Sequence, residues 1–129
     1  MNAKKKILIL DDDADYTALM LPLLVNLGYI VEAENVGANA GSRARAFQPD
    51  VILLDVYWGT QNIMWWQILE TLGGLREVRP RSIVGLTSKL SPRTLDEMGR
   101  RIEDELEVIH KDEVDAHGLV DRLQKMGLL

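Results

Sequence analysis

Short apolar runs and longer mixed segments take turns along this chain. The runs are ILIL (7–10), YIVEAE (29–34), VILLD (51–55), SIVGLT (82–87) and LEVIH (106–110). Three of them are close to unbroken leucine and β-branched residues, the pattern of strands covered on both faces. YIVEAE alternates more and predicts an edge strand. The mixed segments predict helices. Residues 15–27 carry Leu19, Leu23, Leu24 and Leu27 at helical spacing, with Gly28 as a C-terminal stop and Pro22 predicting a kink or a late start. Residues 38–47 form a small-residue helix ending before Pro49, and residues 63–77 a third helix. Ser91-Pro92 reads as an N-cap followed by a first-turn proline, opening a fourth helix over 92–103. Residues 113–126 carry Val114, Leu119, Val120, Leu123 and Met126 and form the last. Strand and helix thus alternate five times. That order predicts an α/β fold, a doubly wound parallel sheet with helices on both faces and right-handed crossovers.

In such a sheet ligands bind at the carboxyl ends of the strands. Four carboxylates (Asp11, Asp12, Asp13 and Asp15) follow the first run directly. Asp55 closes the third run, Thr87 and Ser88 follow the fourth, and Lys111 follows the fifth. One rim of the sheet is therefore expected to collect Asp11, Asp12, Asp55, Thr87 and Lys111. Crowded carboxylates repel one another and resist leaving water. A hard divalent cation such as Mg2+ takes oxygen ligands and relieves that repulsion. It would also let an anionic phosphoryl donor approach Asp55 as a carboxylate nucleophile, with Thr87 and Lys111 contacting phosphoryl oxygens. Asp13 and Asp15 read as residues favoured at a helix start.

Composition narrows the classes without changing this picture. The length of 129 residues suits one domain, and 47% apolar content supplies a core. Cysteine is absent, which excludes disulfides and thiolate chemistry. No stretch approaches the roughly 20 apolar residues of a membrane span, and no secretory signal is visible. The expectation is a cytoplasmic protein that does not insert into membranes. A net charge of -5 with scattered arginines argues against direct nucleic-acid binding.

Four pieces together resemble the receiver domain of two-component response regulators. They are ILILDDD for a first strand with its acid pair, PDVILLD for a phosphoacceptor strand, IVGLTS for a hydroxyl strand and VIHK for a lysine strand. The resemblance covers essentially the whole chain, 1–129, as a single receiver domain. It implies a flavodoxin-like fold, with a five-stranded parallel sheet flanked by five helices. It further implies that Asp11 and Asp12 bind Mg2+ together with Asp55 and the backbone carbonyl of Tyr57. Asp55 would take a phosphoryl group from a phosphohistidine, and Thr87 and Lys111 would contact that group. The implied partners are a sensor histidine kinase or phosphotransfer protein, a downstream protein and, by family analogy, a second copy of the chain. Slow dephosphorylation by an activated water is implied too. No effector domain follows Leu129, so the chain reads as a stand-alone receiver or as a fragment of a longer one.

The chain departs from the family pattern at several points. Val108 stands at the switch position, where the family commonly has an aromatic, and Lys111 is followed by Asp112 rather than proline, predicting a trans bond. After Asp55 the chain reads VYWGTQNIMWW, and RIEDELE precedes the fifth strand. Trp58, Trp65 and Trp66 lie in that first stretch, and they read either as a partner surface or as bulk covering the loop. His110 and His117 read as structural or surface residues. Two alternatives follow. One is a receiver-like interaction module that no longer signals by phosphorylation. The other is a haloacid-dehalogenase-like phosphatase, suggested by D-A-D-Y-T at 13–17. The second lacks a later metal motif, and its nucleophile would stand away from the strand end.

Overall fold

A computed structural model describes residues 3–59, 61–88 and 102–129. Five parallel strands form one sheet: β1 (Lys6–Leu10), β2 (Ile30–Glu34), β3 (Val51–Asp55), β4 (Ile83–Thr87) and β5 (Val108–His110). Their order across the sheet is β2-β1-β3-β4-β5. The helices are α1 (Ala14–Asn26), α2 (Ala40–Phe47), α3 (Trp65–Gly73), α4 (Ile102–Glu105) and α5 (Ala116–Lys125). This is the expected doubly wound α/β architecture, with β2 at an edge. The cap and proline expected at Ser91-Pro92, and the fourth helix as far as residue 101, lie outside the described residues.

Alternation along the central strands divides the core into two layers. Leu8, Leu10, Ile52 and Leu54 point to one face, where α2 and α3 supply Ala40, Ala44, Trp65, Ile68 and Leu72. Ile7, Ile9, Leu53 and Leu86 point to the other, where α1 and α5 supply Met20, Leu24, Leu119 and Leu123. Both faces of β1 and β3 are therefore covered, which is why their sequences are unbroken apolar runs.

Helix boundaries follow capping chemistry. Asp13 caps α1, its Oδ1 accepting the Tyr16 N–H at 3.1 Å. Asp115 caps α5 by accepting the Gly118 N–H at 2.8 Å, so that helix starts later than residue 113. Gly28, with φ of 104°, takes the chain out of α1. The late start considered for α1 does not occur: the helix begins at Ala14 and runs through an exposed Pro22. Its buried face is Thr17, Met20 and Leu24, so Leu19 and Leu23, expected on the apolar stripe, are exposed.

Two side-chain amides sew together the loops after β1, β2 and β3. Asn35 Nδ2 donates to the Asp11 carbonyl at 2.7 Å and to Thr17 Oγ1 at 3.0 Å. Gln61 Nε2 donates to the Asn35 carbonyl at 2.5 Å, and Gln61 Oε1 accepts the Gly37 N–H at 2.7 Å. Among the described residues no helix is long and apolar enough to cross a membrane.

Candidate functional site

The parallel register carries chemistry-bearing residues to one rim. Leu10 pairs with Leu54, Asp55 with Leu86, and Thr87 with His110. The residues at or just past these strand ends are Asp11, Asp12, Asp55, Thr87 and Lys111. Asp11 is fully buried, and its Oδ1 accepts the Asp13 N–H at 2.9 Å. Asp55 is buried and Asp12 half-buried. One carboxylate oxygen from each of Asp11, Asp12 and Asp55 falls within a 4.8 Å cluster. The Lys111 ammonium lies 2.5 Å from Asp11 Oδ2 and 3.4 Å from Asp55 Oδ1.

Burial dominates the electrostatics here. It raises the Asp55 carboxyl, the nearby Asp11 charge raises it further, and Lys111 offsets part of this, leaving it pushed up to about 7. Burial likewise holds Asp11 above the ordinary carboxylate range, against the pull of Lys111. Burial works to lower the Lys111 ammonium, but Asp55 and Asp11 outweigh it and the net shift is upward.

Two of the three carboxylates thus share one ammonium. The oxygens of all three are hard donors within reach of a single ion, which fits a Mg2+ site better than a site for a softer metal. Tyr57, whose carbonyl was implied as a further ligand, lies two residues past Asp55 with its side chain exposed. Thr87 is buried at the end of β4, its Oγ1 placed 3.4 Å from the Ser88 carbonyl. Ser88 Oγ donates to Asp112 Oδ2 at 3.1 Å, linking the loops after β4 and β5. The described residues contain no cis peptide bond, so Lys111-Asp112 is trans as expected. Val108 is half-buried in β5.

The tryptophans need correction. Trp58 and Trp65 are 4% and 1% exposed, which places them in the core rather than on a partner surface. Trp65 shares a helix face with Ile68 and Leu72, and Trp66 packs half-buried against the same layer. Trp58 Nε1 donates to the Asp55 carbonyl at 2.8 Å, which ties the indole to the strand end. The D-A-D-Y-T stretch forms the first turn of α1: Asp13 caps it, and Thr17 Oγ1 donates to the Ala14 carbonyl at 3.1 Å. Asp13 and Asp15 thus stand at the start of a helix rather than at the end of β1, away from the strand-end place the phosphatase alternative needs for its nucleophile.

Sequence patterns missed Tyr16, Asn35 and Gln61. Tyr16 stands over Lys111, with Nζ 4.3 Å from the ring centroid. An aromatic three residues into a capped helix was the available signal, but nothing in its spacing pointed to a lysine so far along the chain.

No family model matches the chain, and no curated protein matches it in sequence. Solved structures do match in shape. A CheY-like response regulator receiver domain from Methylobacillus flagellatus has a TM-score of 0.75 at 15% identity, with 96% of this chain and 99% of that one covered. The chemotaxis protein CheY4 of Vibrio cholerae has a TM-score of 0.76 at 22% identity, covering 96% and 99%. The receiver domain of a sensor histidine kinase from Pseudomonas aeruginosa, with a magnesium ion coordinated in its active-site cleft, has a TM-score of 0.76 at 20% identity, covering 97% and 99%. At these identities the likeness is one of fold: the chain has the flavodoxin-like receiver fold.

Proposed function

We propose that this receiver-fold chain is a phosphoacceptor in two-component signalling, taking a phosphoryl group on Asp55 from a histidine kinase or phosphotransfer protein and passing the change to a downstream protein. The observation that carries the reading is the joint placement of Asp11, Asp12, Asp55 and Lys111. Their carboxylates cluster within 4.8 Å, with the ammonium 2.5 Å and 3.4 Å from two of them.

In the transfer, an Asp55 carboxylate oxygen attacks phosphorus. The O–P bond forms as the P–N bond of the phosphohistidine breaks, and the imidazole nitrogen keeps the electron pair. Asp11, Asp12 and Asp55, with the Tyr57 carbonyl, would hold Mg2+, which supplies positive charge against the donor's phosphoryl oxygens. Lys111 contributes a second positive charge, and Thr87 donates its hydroxyl proton to a phosphoryl oxygen. Reversal by water breaks the new O–P bond and releases inorganic phosphate with the free carboxylate.

The test is mass spectrometry of protein incubated with Mg2+ and acetyl phosphate or phosphoramidate. One phosphoryl group is expected on the peptide holding Asp55, and none on Asp55→Asn. An unmodified wild-type protein with both donors overturns the proposal in favour of a receiver-like interaction module.

A further inference from the structure

We infer that Tyr16 is a positioning residue, its ring holding the Lys111 ammonium against the Asp11 and Asp55 carboxylates. An ammonium has three N–H donors. Asp11 Oδ2 at 2.5 Å and Asp55 Oδ1 at 3.4 Å form ion pairs with it. The Tyr16 ring centroid, 4.3 Å from Nζ, lies well inside the roughly 6 Å reach of a cation–π contact. The lysine side chain is 13% exposed.

The ring is itself held in place. Tyr16 belongs to the first turn of α1, and its N–H donates to the Asp13 cap at 3.1 Å. Its side chain packs on the apolar layer beneath α1 and α5. Lys111 has no comparable backbone support. It opens a single 3-10 turn, Lys111–Glu113, and carries a long stem with many rotamers. A ring held on the first turn of α1, 4.3 Å from Nζ, adds a third contact to the two carboxylates and so narrows the rotamers open to that stem.

The functional consequence rests on the phosphoacceptor reading. An ammonium kept at the acids is in place when a phosphoryl group arrives, so losing the ring slows transfer from acetyl phosphate. The expected loss is about tenfold, the size of a partly desolvated cation–π contact.

The experiment compares wild type with Tyr16→Phe, Tyr16→Leu and Tyr16→Met. The first readout, on metal-free protein, is the rate at which an amine-acylating reagent modifies Lys111, followed by peptide mass spectrometry. The Leu and Met variants are expected to label about tenfold faster, and the Phe variant, which keeps the ring, at the wild-type rate. The second readout is the phosphorylation rate, expected to fall in the Leu and Met variants and to be retained by Phe. A third needs no variant: ring current shifts the Lys111 ε-methylene protons upfield in the wild-type NMR spectrum. Unchanged labelling in the folded Leu or Met variant overturns the inference, as does a Phe variant that behaves like Leu or an absent ring-current shift. Faster labelling in Leu and Met with no phosphorylation of wild type supports the role of Tyr16 and overturns the phosphoacceptor reading instead.

Discussion

At the scale of single residues, Asp55 links stability to pH. Its folded carboxyl is pushed up to about 7 from an ordinary value of 3.8, first by burial and then by Asp11. The folded state therefore keeps a proton that the unfolded chain has released. The stabilisation this gives is complete below the unfolded value and is lost as pH rises through the folded one, a window from about pH 4 to about pH 7. Asp11, also raised, acts in the same direction. In chelator, the wild-type melting temperature is expected to fall between about pH 5 and about pH 8, and Asp55→Asn to remove much of that fall, gaining about 1–2 kcal/mol at the upper pH. Thermal melts at the two pH values check this, and parallel curves for both proteins would contradict it. Asp11, Asp12, Asp55, Thr87 and Lys111 were readable in the sequence because each follows an apolar run, and a strand end fixes a place in this fold. Tyr16 was not, because a ring and an ammonium from distant elements leave no periodic trace. Trp58 and Trp65 were open to misreading as surface because an aromatic cluster in a loop resembles a binding patch. The spacing of Trp65 with Ile68 and Leu72 was the better signal.

Secondary-structure elements show a different balance. The three central strands β1, β3 and β4 stood out because burial on both faces demands nearly continuous apolar sequence, and β2 stood out by its edge-strand alternation. β5, three residues long, is shorter than the run that predicted it, since LEVIH includes the chain leading out of α4. In α1, leucine count misled: Thr17 and Met20 share the buried face with Leu24, while Leu19 and Leu23 face solvent. A hydroxyl and a thioether are weak cues beside leucine, yet Thr17 earns its place by hydrogen bonding to Ala14 and Asn35. Pro22 is the weak point of this helix. It offers no N–H to the preceding turn, and its exposed position means no packed neighbour depends on the ring. Pro22→Ala is expected to stabilise the protein by about 1 kcal/mol, the gain in helix propensity being offset partly by a freer unfolded chain. Urea denaturation measures it, and a lower midpoint for the variant would show that the proline is needed.

For the whole molecule, strand order decides what meets. β1 and β3 are neighbours, so Asp11 and Asp55 stand side by side, while Lys111 reaches them from beyond β5, across β4. Apolar patterning and the strand-end rule put these residues on one rim, but they carry no record of which strand lies beside which, so the side-by-side pairing of β1 with β3 came only with the resemblance. The same rim is expected to respond as a unit. Mg2+ at about a hundred times its dissociation constant would stabilise the fold by about 2.7 kcal/mol by mass action. Mg2+ with beryllofluoride would also alter the fluorescence of Trp58, whose indole is bonded to the Asp55 carbonyl. Asp55→Asn should abolish the fluorescence change, and a response unaffected by that substitution would mean that the reporter senses another event. Around this charged rim runs a seam of a different kind, in which Asn35 and Gln61 join three loops through neutral amides, carbonyls and the Thr17 hydroxyl. Dissolved electrolyte reaches buried ion pairs only weakly and leaves neutral dipoles largely untouched, so salt discriminates poorly between the two. Alkali is the sharper lever: above about pH 7 the Asp55 carboxyl gives up its proton, so what the vessel holds changes charge while its walls, closed by groups that do not titrate, keep their shape.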